Sequence, residues 1–266
     1  MSPSLQPFPW YGGKYKHRDF IYSNLPPRTT RYIEPFGGSA AILLNQEPYE
    51  LEVFNDLNLG VYTFFKVLRD SPDELIERLN NTPWHEGEFF EAKASRDSGW
   101  DVEDEIERAR QFYVLSIQSY NATGSSWSYS TSQVRRNRAQ HTSRFETKIW
   151  QLEAVADRLR RVQFFCRDAL DVIQRYEYED AMLYLDPPYP ASVRGGPAYE
   201  FEMSDEQHDE LLDVILDYPG YVCISTYQND LYDERLSEWT LVRDVEKGTA
   251  ASNVNQGRVE CVYRNY

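Results

Sequence analysis

The heptapeptide Leu183-Tyr184-Leu185-Asp186-Pro187-Pro188-Tyr189 decides how this chain is read. Ala181 to Leu185 is short, apolar and bounded by breakers, the pattern of a buried strand. Two prolines then fix φ, remove two backbone donors and stop the strand at its carboxyl end. An acidic side chain, carbonyls without ladder partners and an aromatic ring are left at a strand tip. In open α/β sheets such tips are where ligands bind. A planar exocyclic amine suits these groups: Asp186 and the Pro187 carbonyl accept its two hydrogens, and Tyr189 stacks on its ring. On the residues alone, a surface turn after a core strand is the competing reading.

Working outward, Glu34-Pro35-Phe36-Gly37-Gly38 follows a strand at Arg31–Ile33, and Ser39–Asn45 is expected to form a helix after this glycine turn. Paired glycines let backbone approach a ligand, and a helix N-terminus there would offer free N–H groups. The next strand, Glu52–Phe54, ends at Asn55-Asp56, with Asp56 19 residues beyond Gly37. That is close to the spacing of about 20 at which an acid meets ribose hydroxyls in dinucleotide folds. Asp168 follows a further strand at Val162–Cys166, where a plain helix N-cap fits equally well. Near the N-terminus stands Pro9-Trp10-Tyr11-Gly12-Gly13-Lys14.

These segments together resemble the Dam-type (class alpha) N6-adenine DNA methyltransferases. Nucleic-acid amino-methyltransferases carry Asp/Asn/Ser-Pro-Pro-Tyr/Phe, and the Asp form is typical of N6-adenine enzymes. Trp-x-Gly-Gly-Lys, Glu-Pro-Phe-Gly-Gly, Asn-Asp-Leu-Asn, an insert and Asp-Pro-Pro-Tyr occur here in the order of that family. The resemblance implies a Rossmann-like, S-adenosyl-L-methionine-dependent α/β sheet with helices on both faces and an inserted, mainly helical target-recognition lobe. It implies cofactor contacts from Trp10, Lys14, Glu34, Pro35, Phe36, Gly37, Asp56, Asp168 and Asp186, with Lys14 on the methionine carboxylate and Asp168 on the adenine amine. Asp186, Pro187, Pro188 and Tyr189 become the catalytic tip, acting on an adenine flipped from duplex DNA.

The net charge of −15 is unusual for a DNA enzyme, but its distribution is uneven. From Arg108 to Arg167 there are 11 basic and 3 acidic residues, the footprint of a phosphate-contacting region. Within it Tyr120, Asn121, Trp127 and Tyr129 interleave with Arg135, Arg136, Arg138 and Arg144, residue types that stack, wedge or contact phosphates and guanine edges. For any single arginine a solvated loop position is an equal reading. Residues 70–160 are expected to form the recognition lobe, and 1–69 with 161–266 the catalytic domain. Better-known family members carry Asn-Arg-x-x-x-Asn-Gly-Leu-x-Arg and then Phe-Asn-x-Pro-x-Gly. Here Ser119-Tyr120-Asn121-Ala122-Thr123-Gly124 and a Ser/Trp/Tyr run replace them, so recognition of GATC does not carry over.

Helices are further expected at 15–25, 57–69, in much of 72–118, after 145, at 169–176 and from Ser204, where Gln207 completes a capping-box pattern. Residues 190–203 read as a polar loop, Tyr221–Ser225 as a strand, and Leu241–Val245 with Val259–Tyr263 as a closing hairpin. Three scattered cysteines without a Cys-x-x-Cys pair point to reduced thiols rather than zinc or disulfides. The four histidines lack metal-ligand spacing and read as surface residues. No membrane span or signal pattern is seen, and a cytoplasmic monomer or weak dimer is expected. Only 6 of the 28 basic residues are lysine; this acidic, lysine-poor composition points to a halophilic archaeon or its virus. The partners expected are double-stranded DNA and, in a restriction setting, a cognate endonuclease on a separate protein. A cytosine-N4 enzyme is the nearest alternative, and a catalytically silent DNA-binding module the alternative of another class.

Overall fold

The computed structural model describes residues 4–193, 201–244 and 259–266. Residues 194–200 of the expected polar loop, and Val245, lie outside them. The first elements are α1 (Arg18–Ser23), β1 (Arg31–Glu34), β2 (Leu51–Asn55), α2 (Leu59–Asp70), α3 (Pro72–Asn80), α4 (Glu86–Asp97) and α5 (Glu105–Gln118). Next come β3 (Val134–Arg135), β4 (Arg138–Ala139), α6 (Gln140–Ile149), α7 (Leu152–Leu159), β5 (Val162–Phe165) and α8 (Ala169–Arg175). The chain continues through β6 (Ala181–Leu185), α9 (Asp205–Leu216), β7 (Tyr221–Tyr227), α10 (Asp230–Arg235), β8 (Thr240–Arg243) and β9 (Glu260–Arg264). Among the described residues no helix is long and apolar enough to cross a membrane.

The chain divides into two compact units. One comprises Met1–Tyr15, Gly38–Asn45 and Asn58–Phe164; the other comprises Lys16–Gly37, Gln46–Leu57 and Phe165–Tyr266. These bounds differ from the expected lobe at 70–160: α2 and the N-terminal segment group with the helices that follow them.

The central sheet has the order β5-β2-β1-β6-β7-β9-β8, and all of its strands but β5 lie wholly in the second unit. β1 is parallel to β2 and to β6, and β6 is parallel to β7. β9 runs antiparallel between β7 and β8, the closing hairpin expected from the sequence. The order reverses between β1 and β6, since the chain passes from β1 outward to β2 but later from β6 outward to β7. Such switch points open a crevice at the carboxyl ends of the strands.

All five residues of β6 are buried, because parallel strands are covered on both faces. The period of two sends Ala181, Leu183 and Leu185 into one core with Ile33, Val53, Val222 and Ile224, packed with Val172, Ile173, Leu211, Leu212 and Ile215 of α8 and α9. Each such aliphatic side chain contributes roughly 1.5–3 kcal/mol by leaving water. Tyr32, Glu34, Tyr184 and Ser225 alternate with these core residues. α9 starts at the expected capping box: Ser204 Oγ accepts from Gln207 N, and the Gln207 side chain accepts from Ser204 N at 2.9 Å.

In the first unit α5 packs against α2, α3 and α4. Phe8, Phe64, Phe65, Phe112 and Tyr113 form its aromatic core. Gly60 permits this packing, since a Cβ there would lie 2.5 Å from the Phe112 ring.

Three expectations are corrected. Ser39–Asn45 is not an α-helix; only a 3-10 turn forms, at Leu43–Asn45. Gly38 and Ala40 adopt left-handed φ of 50° and 53°, which a right-handed helix excludes. Asn45 then ties the turn to Leu5, donating to its carbonyl at 2.8 Å and accepting from its N–H at 2.6 Å. An all-apolar run has no periodicity by which to distinguish a turn from a helix. His208 is buried rather than on the surface: with Leu211, Leu212 and Ile215 it lies on the core face of α9, and its Nδ1 pairs with the Tyr232 hydroxyl at 2.9 Å. Finally, α6 begins at Gln140, earlier than the helix expected after 145; Phe145 and Ile149, four residues apart, share a buried face.

Candidate active site

Glu34, Asp56, Asp168 and Asp186 stand at or just beyond the ends of β1, β2, β5 and β6, four strands adjacent in the sheet and separated by ~4.8 Å per step. All four residues belong to the second unit. Local sequence explains each position. Prolines follow Glu34 and Asp186 and end their strands. Asp56 leaves the sheet with its N–H on the Phe165 carbonyl at 3.3 Å. Asp168 is exposed and caps α8, its carboxylate accepting from Leu170 N at 2.8 Å; the N-cap role is therefore real.

Asn55, fully buried, was passed over as a site residue by sequence reasoning. Its amide donates to the Pro35 carbonyl at 2.8 Å and to the Arg167 carbonyl at 3.0 Å, and its oxygen accepts from Arg167 N at 3.0 Å. Its backbone carbonyl accepts from Gly37 N at 2.9 Å. One side chain thus joins the loops after β1, β2 and β5. Gly37 has a packing reason for being glycine: a Cβ there would lie 2.0 Å from the Phe54 ring. Pro35 is buried, and Phe36 packs against the second-unit core.

At the β6 tip Asp186 is half-buried and accepts from Ser225 Oγ at 3.0 Å. Pro187 is buried and Pro188 half-buried. Tyr189 is also buried; its hydroxyl donates to Glu260 at the start of β9, and its ring meets Tyr227 edge-on at 4.7 Å. Glu34 is 2% exposed and accepts from the Tyr32 hydroxyl at 2.7 Å. Burial, and then the Glu34 charge, push the Tyr32 phenol far above its ordinary range. Burial, and then Asp186, do the same to Tyr184, and burial, then Glu260, to Tyr189. All three phenols remain protonated donors, Tyr32 and Tyr189 to carboxylates and Tyr184 to Ser225 Oγ. A row of acids suits a ligand carrying positive charge and several O–H or N–H donors.

Trp10 and Lys14 lie in the first unit. The Trp10 ring packs on Phe8 and Phe112, and Gly38 makes room for it, since a Cβ there would lie 2.8 Å from the indole. Lys14 is buried and donates to the Gly12 carbonyl at 2.8 Å.

The basic segment of the first unit carries the remaining candidates. β3 and β4 form a hairpin whose turn residues, Arg136 and Asn137, both have positive φ, the two-residue geometry that matches strand twist. Arg135, Arg136 and Arg138 are exposed, as are Tyr120, Asn121, Tyr129 and Arg144. Arg138 pairs with Glu146, and the Arg136 guanidinium lies 5.9 Å from the ring centre of the exposed Trp150. Trp127 stacks on Tyr129 and donates to Gln118 at 3.3 Å. His141 holds this loop to α6, its ring nitrogens pairing with Ser128 and Ser130. Asn121, Ala122 and Gly124 all take left-handed φ, which bends the chain tightly after α5.

Comparison with known proteins identifies the assembly. The D12 class N6 adenine-specific DNA methyltransferases match residues 10–249. The Type II methyltransferase M1.LlaDCHI of Lactococcus lactis is 25% identical, over 99% of this chain and 96% of its own length. The Type II methyltransferase M.MjaIII of Methanocaldococcus jannaschii is 24% identical over 76% of this chain and 77% of its own. A DNA adenine methylase of Haemophilus influenzae is 26% identical over 71% of this chain and 66% of its own. A sheet ending in a row of carboxylates and an Asp-Pro-Pro-Tyr tip, matched over residues 10–249, makes this chain a member of the D12 class N6 adenine-specific DNA methyltransferase family.

Proposed function

We propose that this DNA adenine methyltransferase binds S-adenosyl-L-methionine along the carboxyl edge of its sheet and methylates an adenine held at the Asp186–Tyr189 tip. The observation that carries this reading is the run of four neighbouring strands with an acid at or just beyond each carboxyl end, beside the switch point between β1 and β6. The chemistry such a cofactor would supply is a sulfonium methyl group, carbon–sulfur cleavage balancing the new bond to N6 while the amine gives up one proton to solvent. Glu34, Asp56 and Asp168 offer acceptors for the cofactor's hydroxyl and amine hydrogens, with Pro35, Phe36 and Gly37 lining the same loop. Trp10 and Lys14 are assigned to it on their motif. Asp186 and the Pro187 carbonyl accept the N6 hydrogens, orient the lone pair and draw electron density toward nitrogen. The residues contribute by positioning and charge placement, without a covalent enzyme intermediate. Tyr189, held by Glu260 and Tyr227, shapes the base pocket with Pro188.

DNA contact is assigned to residues 70–160, through Tyr120, Asn121, Trp127, Tyr129, Arg135, Arg136, Arg138 and Arg144. Two relatives are named type II methyltransferases, which suits protection against a cognate endonuclease carried on a separate protein. The test combines purified protein, unmethylated DNA and S-adenosylmethionine across a potassium chloride series, followed by nucleoside mass spectrometry. N6-methyladenine is expected, and its loss in Asp186→Ala with an unchanged circular dichroism spectrum. N4-methylcytosine as product, or normal turnover in that variant, would overturn the reading.

A further inference from the structure

We propose that Ser225 is a positioning residue that sets the orientation of the Asp186 carboxylate toward the substrate amine; this rests on the assignment of Asp186 as the amine's acceptor. The parallel register pairs Leu185 with Ile224, so the next step along both strands brings Asp186 beside Ser225. Ser225 is fully buried. Its Oγ lies 3.0 Å from Asp186 Oδ1, 3.2 Å from the Leu185 carbonyl and 3.1 Å from the Tyr184 hydroxyl.

A serine hydroxyl has one proton to donate. A carboxylate is a stronger acceptor than a neutral carbonyl, so that proton goes to Asp186. Tyr184, kept protonated by burial and by the Asp186 charge, donates in turn to Ser225. The chain Tyr184–Ser225–Asp186 is therefore directional and ends on a defined carboxylate oxygen. Engaging Oδ1 from within the sheet fixes the rotation of a group whose terminal torsion is otherwise broad. Prolines after Asp186 fix the backbone of the tip, but a backbone restraint does not orient this side-chain torsion.

The test compares Ser225→Ala, Ser225→Thr, Tyr184→Phe and Asp186→Ala by steady-state kinetics, with cofactor and DNA affinities and Tm measured alongside. Ser225→Ala is expected to lower kcat by about tenfold to a hundredfold, the worth of one hydrogen bond to a charged group, with both affinities unchanged. Ser225→Thr, which keeps the hydroxyl and suits a strand, is expected to restore most of kcat. Tyr184→Phe leaves the bond from Ser225 to Asp186 and is expected to cost less than Ser225→Ala. If Ser225→Ala folds poorly because Tyr184 loses its acceptor, the double variant Ser225→Ala/Tyr184→Phe removes that orphan and decides the matter by its kcat.

Wild-type kcat in the alanine or the double variant would overturn the role. So would a threonine variant with wild-type Tm that is as slow as the alanine one, or a loss confined to affinity. Asp186→Ala separates the two levels. Activity retained there overturns the underlying assignment; an inactive Asp186→Ala beside a fully active Ser225→Ala overturns the role of Ser225 alone.

Discussion

Truncating Asn55 to alanine would strand the Pro35 carbonyl and both backbone groups of Arg167 in one step. Leaving the buried Pro35 carbonyl unpaired costs on the order of 1–3 kcal/mol, and the loops after β1 and β5 would lose their common tie. The expected outcome is a lower urea midpoint together with a raised cofactor KM; an unchanged KM would make Asn55 a tie for the fold alone. Asp168→Ala is expected to cost about 1 kcal/mol as a lost N-cap and also to weaken cofactor binding in calorimetry, whereas a pure cap would leave affinity intact. Lys148 tests the electrostatics of the first unit. Burial first, and then the Arg144 charge, lower it from an ordinary 10.5 to about 8. Between about pH 8 and 10.5 the unfolded chain therefore holds the extra proton, and this group's contribution to stability rises with pH. Lys148→Met is expected to remove that rise, seen as the difference between the two Tm–pH curves over that window. Neither Asn55 nor Ser225 was legible as a site residue, because their partners are far along the chain, Arg167 for Asn55 and Asp186 for Ser225.

The β3–β4 hairpin presents its basic residues from a turn that needs positive φ at Arg136 and Asn137. A two-stranded ribbon of this kind is narrow enough to enter a major groove. If Arg135, Arg136 and Arg138 meet phosphates, replacing all three by alanine should weaken DNA binding and reduce the salt slope by about 3 units on a log–log plot. Fluorescence anisotropy across a potassium chloride series measures both, with cofactor affinity as the control. An unchanged slope would remove these arginines from the phosphate contacts. The segment's basic and aromatic character was readable in the sequence, but its hairpin was not. Strands of two residues carry no alternation to read, and Val134 is their one large apolar side chain. The helix expected at Ser39–Asn45 failed for a related reason: Ala40–Leu44 are apolar without a break, while the left-handed backbone at Gly38 and Ala40, the indole against Gly38 and the Asn45 bonds to Leu5 involve residues far along the chain. By contrast, β6, β7, α2 and the capping box of α9 were legible, because local pattern and burial agree there.

For a DNA methyltransferase of net charge −15, the proposed confinement of phosphate contact to the basic segment limits repulsion elsewhere. We propose that its acidic, lysine-poor surface suits a saline interior, where charges are screened within about 3 Å at 1 M salt. Tm and activity are expected to rise from dilute buffer toward molar potassium chloride; full stability and turnover in dilute buffer would refute this. High salt also weakens counterion release, which would leave the proposed stacking and base contacts of the aromatic loop a larger share of target binding. The sequence by itself determined the family, the strand tip at Asp186 and the acids that follow the strands, because breakers, glycines and acids at set spacings are local signals. Only the tertiary structure decided that Glu34, Asp56, Asp168 and Asp186 share one sheet edge, that Asn55 joins three loops, and that Ser225 and Glu260 stand behind the tip. Strand order and register follow from burying both sheet faces at once, a condition that residues far apart in the chain meet jointly and that no short stretch contains.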